Sequence, residues 1–143
     1  MSIDELYQDL ILEHFRQPRF RGALPDADAR FIIYNPLCGD KVEVAVMKTP
    51  QGVGEIKFDG SGCSISQASA SIMTELCRCK SAGEVKELYD LFQEMLRHEL
   101  PDERLKSLGD AAALQGVRQF PVRVKCATLA WEALMKCLAA AYS

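Results

Sequence analysis

Apolar positions along the chain change period twice. Ile3, Leu6, Leu10 and His14 recur at helical spacing, widened by Tyr7 and Ile11, and Ser2 with Glu5 forms a capping box in front of them. Pro18 disfavours helix at the residue before it, so this helix is predicted to end near Arg16. Residues 18–29, with Pro18, Gly22 and Pro25, read as a loop. Period two then takes over. Phe31 to Asn35 is a short apolar strand, Val42, Val44 and Val46 alternate with Glu43, Ala45 and Met47, and Ile56 and Phe58 alternate with Lys57 and Asp59. Thr49 to Gly54 is turn chemistry, so the three strands are predicted to form a sequential antiparallel meander. After Gly60-Ser61-Gly62 the helical period returns. Ile65, Ile72, Leu76 and Cys79 share one face, and Val85, Leu88, Leu91, Phe92, Met95 and Leu96 mark a further helix. Pro101 to Pro121 is mixed, with a short helix over Asp102 to Ser107. Val124, Trp131, Met135, Leu138 and Tyr142 pattern a long last helix. Strands segregated from helices point to an α+β fold, a three-stranded antiparallel sheet with helices packed on one face, in a single domain over residues 1–143.

Composition narrows the class. Of 143 residues, 48% are apolar and 26% charged, values of an ordinary globular chain. The longest uninterrupted apolar run, Cys137 to Tyr142, is far short of the roughly 20 residues of a membrane span. The first ten residues carry acids where an export leader carries bases, so a cytoplasmic location is expected. Net charge is −3, and the densest basic stretch holds only Arg118, Arg123 and Lys125. That excludes a nucleic-acid stripe but suits a docking surface for an acidic partner.

Six cysteines remain to be explained: Cys38, Cys63, Cys77, Cys79, Cys126 and Cys137. In a chain with enough apolar content to fold without staples they read as metal ligands or reactive thiols. Three lie at element junctions. Cys38 sits in Asn35-Pro36-Leu37-Cys38-Gly39-Asp40 between two strands, where a tight turn aims a thiolate and a carboxylate at one point. The same six residues also suit a plain hairpin turn with a buried cysteine. Cys63 follows Gly60-Ser61-Gly62 at the start of a helix, which Ser64 or Ser66 is placed to cap and whose positive end favours thiolate. An incidental cysteine in a glycine-rich turn is the plainer reading. Cys126 falls at the start of the last helix with Arg123 and Lys125 beside it, again a position that favours thiolate. Together Cys38, Asp40, Cys63 and Cys126 make a tetrahedral Cys₃Asp set suited to zinc, with Arg123 offsetting part of its negative charge. The other three cysteines read as structural: Cys79 on the apolar stripe, Cys137 among small buried residues, and Cys77 partly exposed. His14 and His98 lie near helix C-termini, away from the junction cysteines, and are not assigned as ligands.

The segments HFRQPRFRG, NPLCGD, GSGCSISQASASIMTE and LGDAAALQGVRQFPVRVKCATLAW, in this order between about Leu6 and Trp131, resemble the SufU-type iron–sulfur cluster assembly proteins. These belong to the wider IscU/NifU N-terminal scaffold family. The resemblance implies a SufE/NifU-like fold. It also implies zinc bound by Cys38, Asp40, Cys63 and Cys126, and Cys38 as the acceptor of persulfide sulfur. Arg123 matches the arginine before the third cysteine of the SufU type. The implied donor is a PLP-dependent cysteine desulfurase of the SufS kind, and downstream iron–sulfur assembly proteins are the implied recipients. Lys125 stands where the housekeeping scaffold branch has histidine, and the long interval from Cys63 to Cys126 is also of the SufU type. A second function stays open: a scaffold building a transient [2Fe–2S] cluster, or holding iron, on Cys38, Cys63 and Cys126, since thiolates serve both metals. Sulfur acceptance is expected to be sulfurtransferase-like chemistry rather than full enzymatic turnover.

Overall fold

The computed structural model describes residues 3–142, with side chains from Tyr7 onward. The Ser2–Glu5 capping box and the Ile3 and Leu6 side chains lie outside that range. Helix α1 spans Ile3–Arg16 and ends where Pro18 requires. Three strands follow, β1 (Ala29–Asn35), β2 (Asp40–Thr49) and β3 (Gly52–Ser61), paired antiparallel in the order β1-β2-β3. Helices α2 (Ser64–Cys77), α3 (Ala82–Arg97) and α4 (Asp102–Leu105) come next. A 3₁₀ segment over Lys106–Gln119 then leads into α5 (Pro121–Ala141).

The alternation in the strands sorts the sheet into two faces. Val42, Val44, Val46, Ile56 and Phe58 are buried on one face, and their neighbours Lys41, Glu43, Lys57 and Asp59 are exposed or half-exposed on the other. The apolar face packs against α2 and α5. Helix α3 joins the same core through Val85, Leu88, Phe92, Met95 and Leu96, with Phe92 stacked on Trp131 at 4.5 Å between ring centroids. Each fully buried side chain of this kind contributes about 1.5–3 kcal/mol relative to exposure. Ser81 and Glu84 form a reciprocal capping box that starts α3.

Several expectations are corrected. The 17–28 connection is tied down more than a loop reading suggests. Gly22 N–H donates to the Phe58 carbonyl (2.9 Å), Asp28 N–H to the Val46 carbonyl (2.8 Å), and the Arg78 guanidinium stacks on the Phe20 ring. The mixed stretch before α5 is largely 3₁₀ helix, bent at Gly109 with φ 52°. Helix α5 begins at Pro121, because proline is pre-set for the first helical position. Cys126 therefore lies in the second turn of α5 and not at its start. The structural cysteines trade places: Cys77 is wholly buried and Cys79 is exposed. Helix α2 stops at Cys77, and Cys79, with φ 62°, falls beyond the helical stripe in a left-handed turn. Cys137 is buried as expected, its thiol donating to the Val44 carbonyl at 3.2 Å.

Candidate metal centre

The site is assembled at one end of the sheet by three chain junctions. In the β1–β2 hairpin, Asn35 pairs with Asp40 in register, and the four residues between them make the turn. Gly39 takes φ 68°, a left-handed conformation that glycine adopts without strain. The Cys38 N–H donates to the Asn35 carbonyl at 3.2 Å, leaving the Cys38 side chain half-buried at the tip beside Leu37, which is 89% exposed.

The β3–α2 junction brings in Cys63. Gly62 has φ 141°, and a Cβ there would collide with the Asp40 carboxylate and sit 2.8 Å from its Cα. Only glycine lets α2 start this close to β2. Cys63 itself is the N-cap of α2, without a side-chain capping bond. Neither Ser64 nor Ser66 caps the helix. Instead the Ser66 hydroxyl donates to the Cys63 carbonyl at 3.1 Å, and Asp40 Oδ1 accepts the Cys63 N–H at 2.8 Å. The third junction, into α5, supplies Cys126 and Arg123.

Donor atoms of Cys38, Asp40 and Cys126 lie within 4.8 Å of one another. Cys63 stands outside that set but alongside it, where its thiol acts electrostatically on Asp40, Cys126 and Arg123. All five residues singled out in the sequence are thus brought together. Electrostatics here are in conflict. Burial pushes the Asp40 carboxyl up, but the Cys63 backbone N–H and bonds from Cys126, Cys63 and Ser66 outweigh it, so its net pKa is below the usual carboxylate value. Burial, then Asp40 and the Cys38 and Cys63 thiols, push the Cys126 thiol well up. The helix start, one of the two grounds for expecting a thiolate at Cys126, is not where Cys126 lies; the other, Arg123, is beside it. The Arg123 guanidinium holds its proton more tightly, chiefly because of Cys63 and then Cys38 and Cys126.

Among the described residues, Asp40 Oδ2 is buried and makes no hydrogen bond. A buried carboxylate oxygen left unpaired is costly. Three thiols and one orphaned carboxylate oxygen form a donor set that fits a tetrahedral divalent ion such as zinc. Sequence reading missed Asn35 as a separate contributor. Its Nδ2 donates to Cys126 Sγ at 3.5 Å, and the side chain is 3% exposed. A polar residue closing the apolar strand FIIYN was the available signal.

A second cluster of donors escaped the sequence entirely. His14, Glu75 and Asp110 also lie within 4.8 Å of one another. His14 is wholly buried, with Nδ1 2.8 Å from Ser71 Oγ and Nε2 3.1 Å from Asp110 Oδ2. The Arg19 guanidinium lies against the His14 ring and pairs with Glu13 (2.8 Å) and Glu75 (3.1 Å). An internal cation therefore already occupies this cluster.

The NifU-like N terminal domain family model matches residues 6–139. The chain belongs to that family. It is 40% identical over 135 residues to the zinc-dependent sulfurtransferase SufU of Bacillus subtilis, covering 94% of this chain and 90% of the relative. It is 39% identical over 138 residues to the iron–sulfur cluster assembly scaffold protein IscU of Streptococcus pyogenes, covering 96% and 85%. The crystal structure of the SUF-system scaffold protein FiSufU from Fervidobacterium islandicum superposes with a TM-score of 0.85 at 29% identity, covering 96% of this chain and 99% of the other. Membership in this NifU-like family places the protein among those of iron–sulfur cluster assembly. No helix among the described residues is long and apolar enough to cross a membrane.

Proposed function

We propose that this protein is a zinc-dependent sulfur acceptor, taking persulfide sulfur on Cys38 from a cysteine desulfurase of the SufS kind. The observation that carries this reading is the unequal placement of the three thiols. Cys126 is wholly buried on α5 and bonded by Asn35, and Cys63 is fixed by the start of α2. Cys38 alone rides on a glycine turn at the surface, beside the exposed Leu37. Zinc bound by Cys38, Asp40, Cys63 and Cys126 would keep the thiols as thiolates at neutral pH.

The chain's own residues supply the rest. The Cys38 thiolate attacks the outer sulfur of the donor's persulfide. The donor S–S bond breaks, the donor cysteine leaves as thiolate, and Cys38 carries the sulfur as a persulfide. Arg123, beside all three thiols, offsets the anionic charge during the exchange. Exposed Leu37, Phe120 and Val122 border the cluster, with Arg118, Arg123 and Lys125 in the same run. That collar suits an acidic partner whose loop must reach Cys38.

The test is desulfurase turnover with and without an equimolar amount of this protein under reducing conditions. A large increase that vanishes in Cys38→Ala supports the acceptor reading. No increase, together with assembly of a [2Fe–2S] chromophore from iron and sulfide on Cys38, Cys63 and Cys126, replaces it with the scaffold reading.

A further inference from the structure

A groove of about 770 Å³ opens beside the cluster, between α1, the start of α2 and the end of the 3₁₀ segment. Cys63 lines it, whereas Cys38, Asp40 and Cys126 do not. Its walls are apolar at Ile11, Ile65 and Phe120, and its polar lining is Arg118, Arg123, Tyr7, Ser64 and glutamines, with no aspartate or glutamate among the described residues. Neither arginine has a carboxylate partner among the described residues. Arg118 donates one N–H to the Met95 carbonyl at 3.0 Å and keeps the remainder of its fork for another acceptor. Helices α2 and α5 both start at this groove with no acidic residue in their first turns, so their positive ends add to the two guanidinium charges.

We propose that this groove binds a carboxylate-bearing low-molecular-weight thiol, which removes the sulfur that Cys38 has accepted. The step rests on the function proposed above. The volume falls in the roughly 300–1,000 Å³ of small-molecule sites. The charge pattern selects an anion, and the thiol end lies toward Cys63, the one cluster thiol in the lining. Bound there, the ligand's thiolate attacks the outer sulfur of the Cys38 persulfide. The Cys38 S–S bond breaks, Cys38 leaves as thiolate, and the ligand departs as a persulfide, with no net oxidation or reduction. Arg118 takes the carboxylate and Arg123 faces the exchanging sulfurs.

Two measurements on the zinc-loaded full chain test this. The first is titration with S-methylglutathione, a carboxylate-bearing probe whose thiol is blocked, followed by amide NMR shifts and calorimetry. Saturable binding with shifts at 63–65 and 115–123 is expected, weakened about tenfold by Arg118→Gln, as for a lost charge-assisted bond. The second is release of sulfur preloaded on Cys38 to glutathione, compared with cysteamine, which lacks a carboxylate. Gly116 lines the groove, has an ordinary φ and has open space around a Cβ, so Gly116→Leu obstructs the groove without backbone strain. Gly116→Leu is expected to remove the advantage of glutathione over cysteamine while Cys38 still loads from the desulfurase. Absence of saturable S-methylglutathione binding overturns the proposal, and so does a glutathione advantage that survives Gly116→Leu. If Cys38 takes no sulfur at all, the acceptor function fails and the release step with it. The S-methylglutathione titration then still decides whether the groove binds the anion.

Discussion

Two clusters among the described residues gather metal-type donors within 4.8 Å, and they have opposite characters. The donors of the His14–Glu75–Asp110 cluster are partnered from within the chain. Arg19 pairs with Glu13 and Glu75, and both ring nitrogens of the buried His14 have hydrogen-bond partners in Ser71 and Asp110. The Cys38–Asp40–Cys126 cluster is not fully partnered among the described residues. It contains a carboxylate oxygen with no partner and a buried thiol pushed strongly toward its neutral form. Proximity of donors does not distinguish a metal centre from an ion network. What distinguishes them is whether every buried polar atom finds a partner within the chain.

The comparison can be broken from either side. The largest effect expected is at the thiol cluster: Cys38→Ala abolishes stimulation of the desulfurase while the variant stays folded by circular dichroism. Next, Asp40→Ala lowers zinc affinity by at least about 100-fold, beyond the 10–100-fold of an outer-shell change, read by competition with a chromogenic chelator. Removal of zinc by a chelator from the unaltered protein should lower its Tm, because a ligand bound only by the folded state stabilises it. The same chelator should leave the His14 network unaffected. His14→Ala should cost about 2–4 kcal/mol in denaturant unfolding, since it opens a cavity and strips Ser71 and Asp110 of a partner, with zinc content unchanged. Loss of zinc in His14→Ala would show that the two clusters are coupled.

A smaller effect is expected at Asn35. Asn35→Ala removes the N–H···S contact to Cys126 and should cost about 1 kcal/mol. In cobalt-substituted protein it should also move the thiolate-to-metal charge-transfer band, a signature that a purely structural role leaves alone. The smallest effect is alkaline. Burial raises the Cys77 and Cys137 thiols to about 12, above the ordinary thiol value near 9. Their contribution to stability is therefore complete below about pH 9 and is lost as pH rises toward 12, because the unfolded chain releases those protons first. A Tm flat from pH 9 to 11 would contradict their burial.

Much of the fold was legible because it rests on local periodicity. Val42, Val44 and Val46 could only be one face of a strand, and Val85 to Leu96 one face of a helix. Errors came where the pattern is ambiguous at an end. Pro121 starts α5 earlier than the apolar spacing indicates, and the exchange of Cys77 with Cys79 follows from a left-handed residue just past α2. The cluster was legible as Cys38, Asp40, Cys63, Cys126 and Arg123, because Cys38, Asp40 and Cys63 stand by glycines that mark junctions and Arg123 and Cys126 follow Pro121. Asn35 and the His14 network were not, since their partners lie 91, 57 and 96 residues away.

Spacing and turn residues act over a few positions, so the α+β order of elements and the chemical types at the three junctions are written in the chain. Which donors are left without a partner is set by packing across the chain: the Cys63 N–H on Asp40, the Asn35 amide on Cys126, and Arg19 among the acids around His14. The first of these contacts depends on how close the start of α2 comes to β2, which Gly62 permits.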